Sequence, residues 1–452
     1  MSSFCSKASL ILRRKMAEIQ PLLNNYQQEN DEELQQQQQP MIVAHNNNIN
    51  VRNRRIASLD VFRGLSIFLM VLVDYAGSSL PAISHAPWNG LHLADIVMPM
   101  FLFAAGVSLA IVYKHQKVQN RYEATWKALV RAAKLFLLGV FLQGGYLHGI
   151  TSLTYGVDVE TIRLLGILQR IAIGYLAAAV CEIWLPRQTW RKEACLRNYI
   201  WHWCAVFFLC AIYIGLTYGL YVADWQFKDL NSLSSLVSEN GTAIHTVKCS
   251  VRGDLRPACN AAGMIDRYVL GIDHLYQKSV YRNLKECNIS KGGQVPESSP
   301  SWCHAPFEPE GILSSLTASV ACIIGLQYGH ILTEIQGHKD RLYNWCLMSF
   351  LFLVLGSILA LAGIPVNKSL YTISYMLVTS AASGITFCAL YLVVDVYGWR
   401  HITFALEWMG KHSLSIFILV ASNLFVIALQ GFYWKSPHNN IIYWIVSHVV
   451  QK

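Results

Sequence analysis

The sequence predicts an all-α polytopic membrane protein, a bundle of about nine to ten transmembrane helices with one long luminal loop. Of its 452 residues, 54% are hydrophobic and only 14% are charged, against about 25% charged in an ordinary soluble domain. Nine segments approach the roughly 20 apolar residues that a membrane-crossing helix needs, and basic residues collect in alternate connections. These observations argue against a soluble or a mainly disordered chain.

The predicted spans are residues 56–76, 91–113, 128–146, 163–185, 200–222, 311–332, 343–362, 371–396 and 412–430. In lipid, backbone polar groups must pair within the segment, so runs of this length form helices. A tenth apolar stretch, residues 441–450, is too short to cross a bilayer of about 30 Å as a helix.

The distribution of Lys and Arg predicts the orientation. The first 55 residues and the connections on the same side hold 21 of them, whereas the short loops on the other side hold two, Lys368 and Lys435. The positive-inside rule therefore predicts a cytoplasmic N-terminus. The net charge of +9 fits this asymmetry and anionic lipid rather than nucleic acid.

The chain divides into an arm and a membrane domain. Residues 1–55 are polar, with five consecutive Gln at 35–39, and are expected to form a disordered cytoplasmic arm. Residues 56–450 are expected to form the transmembrane domain. Within the arm, residues 18–23 (EIQPLL) resemble an acidic dileucine sorting signal of lysosomal and vacuolar membrane proteins. The alternative, given equal weight, is that this short pattern occurs by chance. A lysosomal, vacuolar or other endomembrane location follows from the first interpretation.

Residues 223–310 form the long loop, which the charge rule places on the luminal side. The loop carries two N-glycosylation sequons and four cysteines: Asn240, Asn288, Cys249, Cys259, Cys287 and Cys303. Four cysteines in an oxidising lumen predict two disulfides, with three pairings open. A zinc site is the alternative, although the spacings contain no C-x-x-C pair.

Ionisable residues in the spans are costly and therefore candidates for function. Asp60 and Arg63 are three apart and share a helix face, so they form either an ion pair or one wall of a cytoplasmic-side pocket for an anion. Arg170 lies inside the fourth span, where it either pairs with a buried acid or clamps a phosphate.

Three further residues are predicted at the external half of the membrane. Asp74 ends the first span, His85 lies in the following loop, and Asp95 begins the second span. A histidine with nearby carboxylates is a plausible general base with an orienting partner; the alternative is an ordinary polar loop residue. The chain has no phosphate-binding P-loop, G-x-S-x-G, H-E-x-x-H or dinucleotide-binding glycine pattern.

Six blocks carry a resemblance to a known family. They are residues 58–64 (SLDVFRG), 85–90 (HAPWNG), 94–101 (ADIVMPMF), 166–171 (GILQRI), 271–276 (GIDHLY) and 305–311 (APFEPEG). In this order, over roughly residues 56–430, they resemble the catalytic region of the heparan-α-glucosaminide N-acetyltransferase family. Without an added luminal domain before the first span, the chain is more similar to plant-type and bacterial members. Relatives usually continue beyond residues 443–445 into a last helix, so we expect the bundle to be one helix short.

The resemblance implies an acetyl-CoA-dependent N-acetyltransferase. Acetyl-CoA would bind from the cytoplasm, and its acetyl group would reach the amine of a luminal glucosamine-type sugar or glycan. The family's active-site histidine falls on His85, either as general base or as an acetylated residue. Asp74 occupies a position where the animal enzyme has Asn, and Arg63, Arg170 and Gln169 are candidates for binding CoA.

The resemblance also sets the expected partners: the lipid bilayer and an amino-sugar acceptor, with no metal and no nucleic acid, and with a homodimer left open. Two alternative functions remain. One is a transporter or channel on the same scaffold, although the absence of an internal repeat weakens it. The other is a related membrane acyltransferase with another donor or acceptor.

Overall fold

The structure is a computed structural model that describes residues 56–77, 83–115, 120–143, 162–185, 199–228, 244–276, 279–287, 295–296, 298–305, 307–309 and 311–424. Four features predicted from the sequence lie outside these residues. They are the N-terminal arm with its dileucine-like segment, both glycosylation sequons, and the apolar stretch at residues 441–450.

The described residues form eleven α-helices and two short strands. In chain order they are α1 (Ala57–Ala76), α2 (Leu93–His115), α3 (Arg121–Gln143), α4 (Ile167–Trp184), α5 (Ile200–Gly219), β1 (Trp225–Lys228), β2 (Ile244–Val247), α6 (Ala261–Val269), α7 (Ile312–Glu334), α8 (His338–Leu361), α9 (Ile373–Tyr391), α10 (Arg400–Lys411) and α11 (Ser413–Ala421).

The prediction of an all-α polytopic membrane protein is confirmed. Helices α2, α4, α5, α7, α8 and α9 are each long and apolar enough to cross a membrane, and α9 reaches Val396 through a π-helical turn. Helices α10 and α11 meet at an angle of 67° and count as a seventh span if taken together. Helices α1 and α3 occupy the first and third predicted spans, but both carry several charged residues.

Helix α7 forms the centre of the bundle and is buried along nearly its whole length. It packs most extensively against α2, and also against α4, α5 and α9. Glycine permits the close approach of α2 and α7. A Cβ atom on Gly106 would collide with the carbonyl oxygen of Cys322, and one on Gly325 would collide with that of Phe103. Any side chain at these positions would force the two helices apart.

The segment between α5 and α7, residues 220–311, is called here the inserted segment. Its strands β1 and β2 pair antiparallel. Its four cysteines form the disulfides Cys249–Cys259 and Cys287–Cys303. The two predicted disulfides are therefore present, in one of the three pairings left open, and they use all four candidate zinc ligands.

The inserted segment also joins the bundle directly. Asp266 on α6 accepts a hydrogen bond of 3.0 Å from the backbone N–H of Ile312, the first residue of α7. This bond satisfies one of the N–H groups that a helix leaves unpaired at its N-terminus. The contact places α6 over the end of the bundle at which α7 begins.

Candidate active site

The loop between α1 and α2 places His85 against a carboxylate. Asp95 lies in the first turn of α2, and its side chain is 0% exposed. Its Oδ1 atom is 2.8 Å from His85 Nδ1, while Oδ2 accepts hydrogen bonds from the backbone N–H groups of Ala86 (3.2 Å) and His92 (3.0 Å). Because a carboxylate accepts, this contact favours the tautomer with hydrogen on Nδ1 and leaves Nε2 as the proton acceptor.

Hydrogen bonds from two other parts of the chain fix this loop. Trp88 donates its ring N–H to the carbonyl of Leu255 at 3.0 Å, and the side chain of Asn367 donates to the carbonyl of Trp88 at 3.0 Å. Gly90 has a φ of 121°, a conformation that favours glycine, and its N–H donates to the carbonyl of Val366 at 2.9 Å. The inserted segment and the loop between α8 and α9 therefore both position the histidine loop.

Lys368 is a site residue that the sequence analysis used only as an external charge. It lies in the loop between α8 and α9, and its Nζ atom is 3.1 Å from His85 Nδ1 and 3.3 Å from Nε2. Burial lowers the pKa of Lys368, whereas the charges of Asp95 and Glu308 oppose this shift. The site thus combines an imidazole, a carboxylate and an amine within hydrogen-bonding distance.

Glu308 links the inserted segment to the loop that carries Lys368. One carboxylate oxygen accepts a hydrogen bond from the hydroxyl of Ser369, and the other accepts one of 2.9 Å from the backbone N–H of Val280. Glu308 is buried and interacts electrostatically with Lys368 and with Arg163. The carboxylate of Glu308 therefore balances positive charge beside His85. The sequence block that contains Glu308, residues 305–311, gave no indication of this role.

Arg170 and Gln169 lie in the first turn of α4, at the same end of the bundle. Both side chains are buried. Gln169 accepts a hydrogen bond of 3.1 Å from the N–H of Gly166 and so caps the helix. Arg170 interacts electrostatically with the acids Asp266 and Glu308. Among the two alternatives given for Arg170, this environment favours pairing with acids.

The other two predicted site residues lie on α1. Asp74 is exposed and interacts electrostatically with His85, although no hydrogen bond joins these two described side chains. Arg63 lies eleven positions earlier, about 16 Å along a helix that rises about 1.5 Å per residue. It pairs with Asp60 at 3.1 Å and donates to the hydroxyl of Ser108. The structure thus brings Asp74 towards His85 and keeps Arg63 apart from it.

A cleft of about 510 Å³ opens beside the histidine loop. Its lining combines aromatic, amide and charged side chains: Trp88, Asn89, Asp254, Arg256 and Pro365 among them. Asp254 and Arg256 form an ion pair of 2.7 Å in the inserted segment. The volume lies in the range of ordinary ligand sites, about 300–1,000 Å³. Trp88 and Asn89 connect the cleft directly to the loop that carries His85.

Fold and site together define a class: a polytopic membrane protein in which a buried carboxylate orients a half-exposed histidine at one end of the helix bundle. Such a pair is the arrangement that enzymes use for general base or nucleophilic catalysis.

Comparison with known proteins shows a similarity to one family. The family model for heparan-alpha-glucosaminide N-acetyltransferase, catalytic, matches residues 55–220, the region that holds His85 and Asp95. The chain is 29% identical to heparan-alpha-glucosaminide N-acetyltransferase of Homo sapiens over 408 residues, with 85% of this chain and 55% of the relative covered. It is 29% identical to the Mus musculus protein of the same name over 387 residues, with 80% and 53% covered.

Over residues 55–220 the chain is therefore similar to the catalytic region of the heparan-alpha-glucosaminide N-acetyltransferase family. It spans about half the length of the curated relatives that it matches.

Proposed function

We propose that the chain transfers an acetyl group from cytoplasmic acetyl-CoA to the amine of a luminal glucosamine-type sugar. The observation that carries this proposal is the 2.8 Å contact between His85 Nδ1 and the buried carboxylate of Asp95. An amine attacks an acyl carbon only when it is unprotonated, so the reaction needs a base beside the acceptor. The names of the two relatives support an N-acetyltransferase.

His85 can serve the reaction in two ways. In the direct route, the amine nitrogen attacks the thioester carbonyl carbon, Nε2 takes the proton that the amine loses, and the carbon–sulfur bond breaks to release CoA thiolate. In the two-step route, Nε2 attacks the thioester carbon and the carbon–sulfur bond breaks to release CoA thiolate. The amine then attacks the acetyl carbon, the bond from that carbon to Nε2 breaks, and the freed Nε2 takes the proton that the amine loses. In both routes Asp95 holds the imidazole in one orientation and stabilises the positive charge that develops on it.

Lys368 is proposed to act on the same reacting atoms. When protonated, its ammonium group provides a positive charge within 3.3 Å of the imidazole. Negative charge develops on the carbonyl oxygen as the tetrahedral intermediate forms, and a nearby cation stabilises it. Glu308 and Ser369 would hold the lysine loop in place through their hydrogen bond.

The two substrates are proposed to approach from opposite ends of the bundle. Arg63, whose side chain is 30% exposed, is our candidate for the CoA phosphates because guanidinium groups bind phosphate oxygens in pairs. Arg170 and Gln169 are retained as positioning residues of the same site rather than as direct phosphate ligands. The cleft beside Trp88 is the proposed acceptor site, and the Asp254–Arg256 pair offers both charges to polar sugar groups.

The proposed topology has a cytoplasmic N-terminus, with residues 1–55 as an arm before the transmembrane domain, in a lysosomal, vacuolar or other endomembrane. The basic residues counted in the sequence support it. So do the two disulfides of the inserted segment, since disulfides persist in oxidising compartments. Trp88 joins that segment to the histidine loop, so His85 would face the lumen.

The proposed reaction is tested with the full chain in sealed proteoliposomes. Labelled acetyl-CoA is supplied on one side and a panel of amino sugars on the other. We expect acetylated glucosamine only when acetyl-CoA is present. Solute flux without acetyl-CoA would contradict the enzyme assignment and support a transporter, whereas transfer only from another acyl donor would support a related acyltransferase. Label retained on the protein when the acceptor is omitted would identify the two-step route.

A further inference from the structure

A second cluster of imidazole and carboxylate groups lies far from His85. Glu182 on α4, His202 on α5 and His330 on α7 are 5%, 1% and 2% exposed. The Nε2 atoms of His330 and His202 lie 3.0 Å and 3.3 Å from the same carboxylate oxygen of Glu182. One ligand atom of each residue lies within 4.8 Å of the other two. Three helices thus bring three potential metal ligands to one buried point.

This cluster is separate from the candidate active site. Glu182 lies twelve positions after Arg170 on α4, which is about 18 Å further along the helix. His330 lies near the end of α7, whereas the contact between α7 and Asp266 is at its beginning. The three residues therefore occupy the end of the bundle opposite to the inserted segment, and the acetyl-transfer mechanism does not use them.

We propose that Glu182, His202 and His330 bind a divalent transition-metal ion, with Zn²⁺ as the expected occupant. Zinc binds imidazole nitrogen and carboxylate oxygen at about 2.0–2.2 Å, usually in a tetrahedron, which separates neighbouring ligand atoms by about 3.3 Å. The two observed nitrogen–oxygen distances, 3.0 and 3.3 Å, are close to this value. Three protein ligands leave one further position for water.

The donor chemistry of the three side chains fits a divalent cation. A carboxylate that is removed from water is costly unless it is paired or coordinates a metal. A dication at this point would bind the carboxylate of Glu182 and both imidazoles at once. The ring of Tyr199 stacks on His330 with centroids 4.2 Å apart, which restricts the plane of that imidazole as supporting residues do in metal sites.

The position of His202 indicates what the ion does. Helix α5 has only three buried residues, His202, Tyr213 and Thr217. Tyr213 anchors one end of α5 through a hydrogen bond of 2.9 Å to the carbonyl of Leu370. Coordination of His202 would anchor the other end to α4 and α7. Three protein ligands and a water are also found in catalytic zinc sites, but all three side chains here are buried and shielded from substrate. We therefore assign the ion a structural role, as a clamp of three helices.

The proposal is tested by metal analysis of the full chain purified in detergent without added chelator. We expect about one zinc ion per chain in the wild type and a loss of most of it in Glu182→Gln and His202→Ala. His245→Ala is the matched control, because His245 stacks on His304 in the inserted segment (centroids 4.8 Å apart) and could bind metal adventitiously. This control should keep its zinc; loss of the zinc there would overturn the proposal.

A second measurement uses only the wild-type protein, so it does not depend on whether the variants fold. Chelator-treated wild type should gain thermal stability when Zn²⁺ is returned, because a ligand that binds only the folded state stabilises it, whereas Mg²⁺ should have no effect. Three results would overturn the proposal: wild type with no bound transition metal and no stabilisation by Zn²⁺, an equal response to Mg²⁺, or full zinc retention in Glu182→Gln. None of these readouts depends on acetyl transfer.

Discussion

The two ends of the bundle hold similar chemical groups in different surroundings. At one end, a carboxylate that is 0% exposed contacts an imidazole whose side chain is 34% exposed and lies beside a cleft. At the other end, a carboxylate contacts two imidazoles that are 1% and 2% exposed. An exposed Nε2 atom can receive a proton from a substrate, whereas a buried one can only interact with its neighbours. Exposure, rather than residue type, separates the proposed catalytic site from the proposed structural one.

Among variants that separate the two ends, Asp95→Asn is expected to have the largest effect on the rate of acetyl transfer. The amide keeps the size of the carboxylate but cannot stabilise an imidazolium and favours the wrong histidine tautomer. We expect the rate of acetyl transfer to fall by about 10³-fold or more, as in other carboxylate–histidine sites. Steady-state rates of the variant and of Glu182→Gln, each corrected for folded protein, provide the comparison. An equal loss in Glu182→Gln would remove the distinction between the two ends.

A smaller loss is expected from Lys368→Met. The methionine preserves much of the apolar stem of lysine and removes the charge beside His85. Loss of one stabilising group for the developing oxyanion should lower kcat roughly 10- to 100-fold, with a smaller change in KM. Lys339→Met, on α8 outside the site, is the matched control. An unchanged kcat in Lys368→Met would restrict the lysine to a structural role.

His330→Ala addresses the opposite end. If a metal clamp holds α4, α5 and α7, its loss should lower the melting temperature by roughly 5–10 °C, while turnover per folded molecule at low temperature changes only a few-fold. Thermal unfolding and turnover are measured on the same preparation. An unaltered melting temperature together with abolished turnover would reverse the roles assigned to the two ends.

The smallest effect concerns Asp266, at the contact between the inserted segment and α7. Burial raises the pKa of Asp266 to about 6 from 3.8, although the N–H of Ile312 and the charge of Arg170 oppose the shift. The folded state therefore favours the protonated acid. Its contribution to stability is fully present below pH 3.8 and is lost as the pH rises through about 6.

Asp266→Asn imitates the neutral acid and can still accept the hydrogen bond from Ile312. The melting temperature of the variant minus that of wild type should therefore increase between pH 4 and pH 7, because the wild-type carboxyl group ionises over this range and the amide does not. Melting curves across this range check the prediction. A constant difference would mean that Asp266 titrates alike in the folded and unfolded states.

Sequence information was sufficient for the features that are local in the chain. Apolar runs predicted the helices, and their charged exceptions, α1 and α3, are the ones that fall short of a simple apolar span. His85 and Asp95 are ten positions apart, so a short loop followed by a helix brings them together. The pair Asp60–Arg63 follows from helix periodicity in the same way.

Long-range contacts could not be predicted in this way. Lys368 is 283 positions from His85, and its place in the site depends on how the loop between α8 and α9 packs. Glu182, His202 and His330 come from three helices and form no local motif. Their convergence depends on the packing of α4, α5 and α7, which hydropathy and charge patterns do not specify.

His85 is proposed to perform the chemistry of acetyl transfer. The most direct measurement compares His85→Ala with His401→Ala, which replaces an exposed histidine on α10, in the proteoliposome assay with labelled acetyl-CoA and glucosamine. We predict that His85→Ala loses transfer while it stays folded, and that His401→Ala keeps the wild-type rate. Wild-type transfer by His85→Ala would contradict this role of His85.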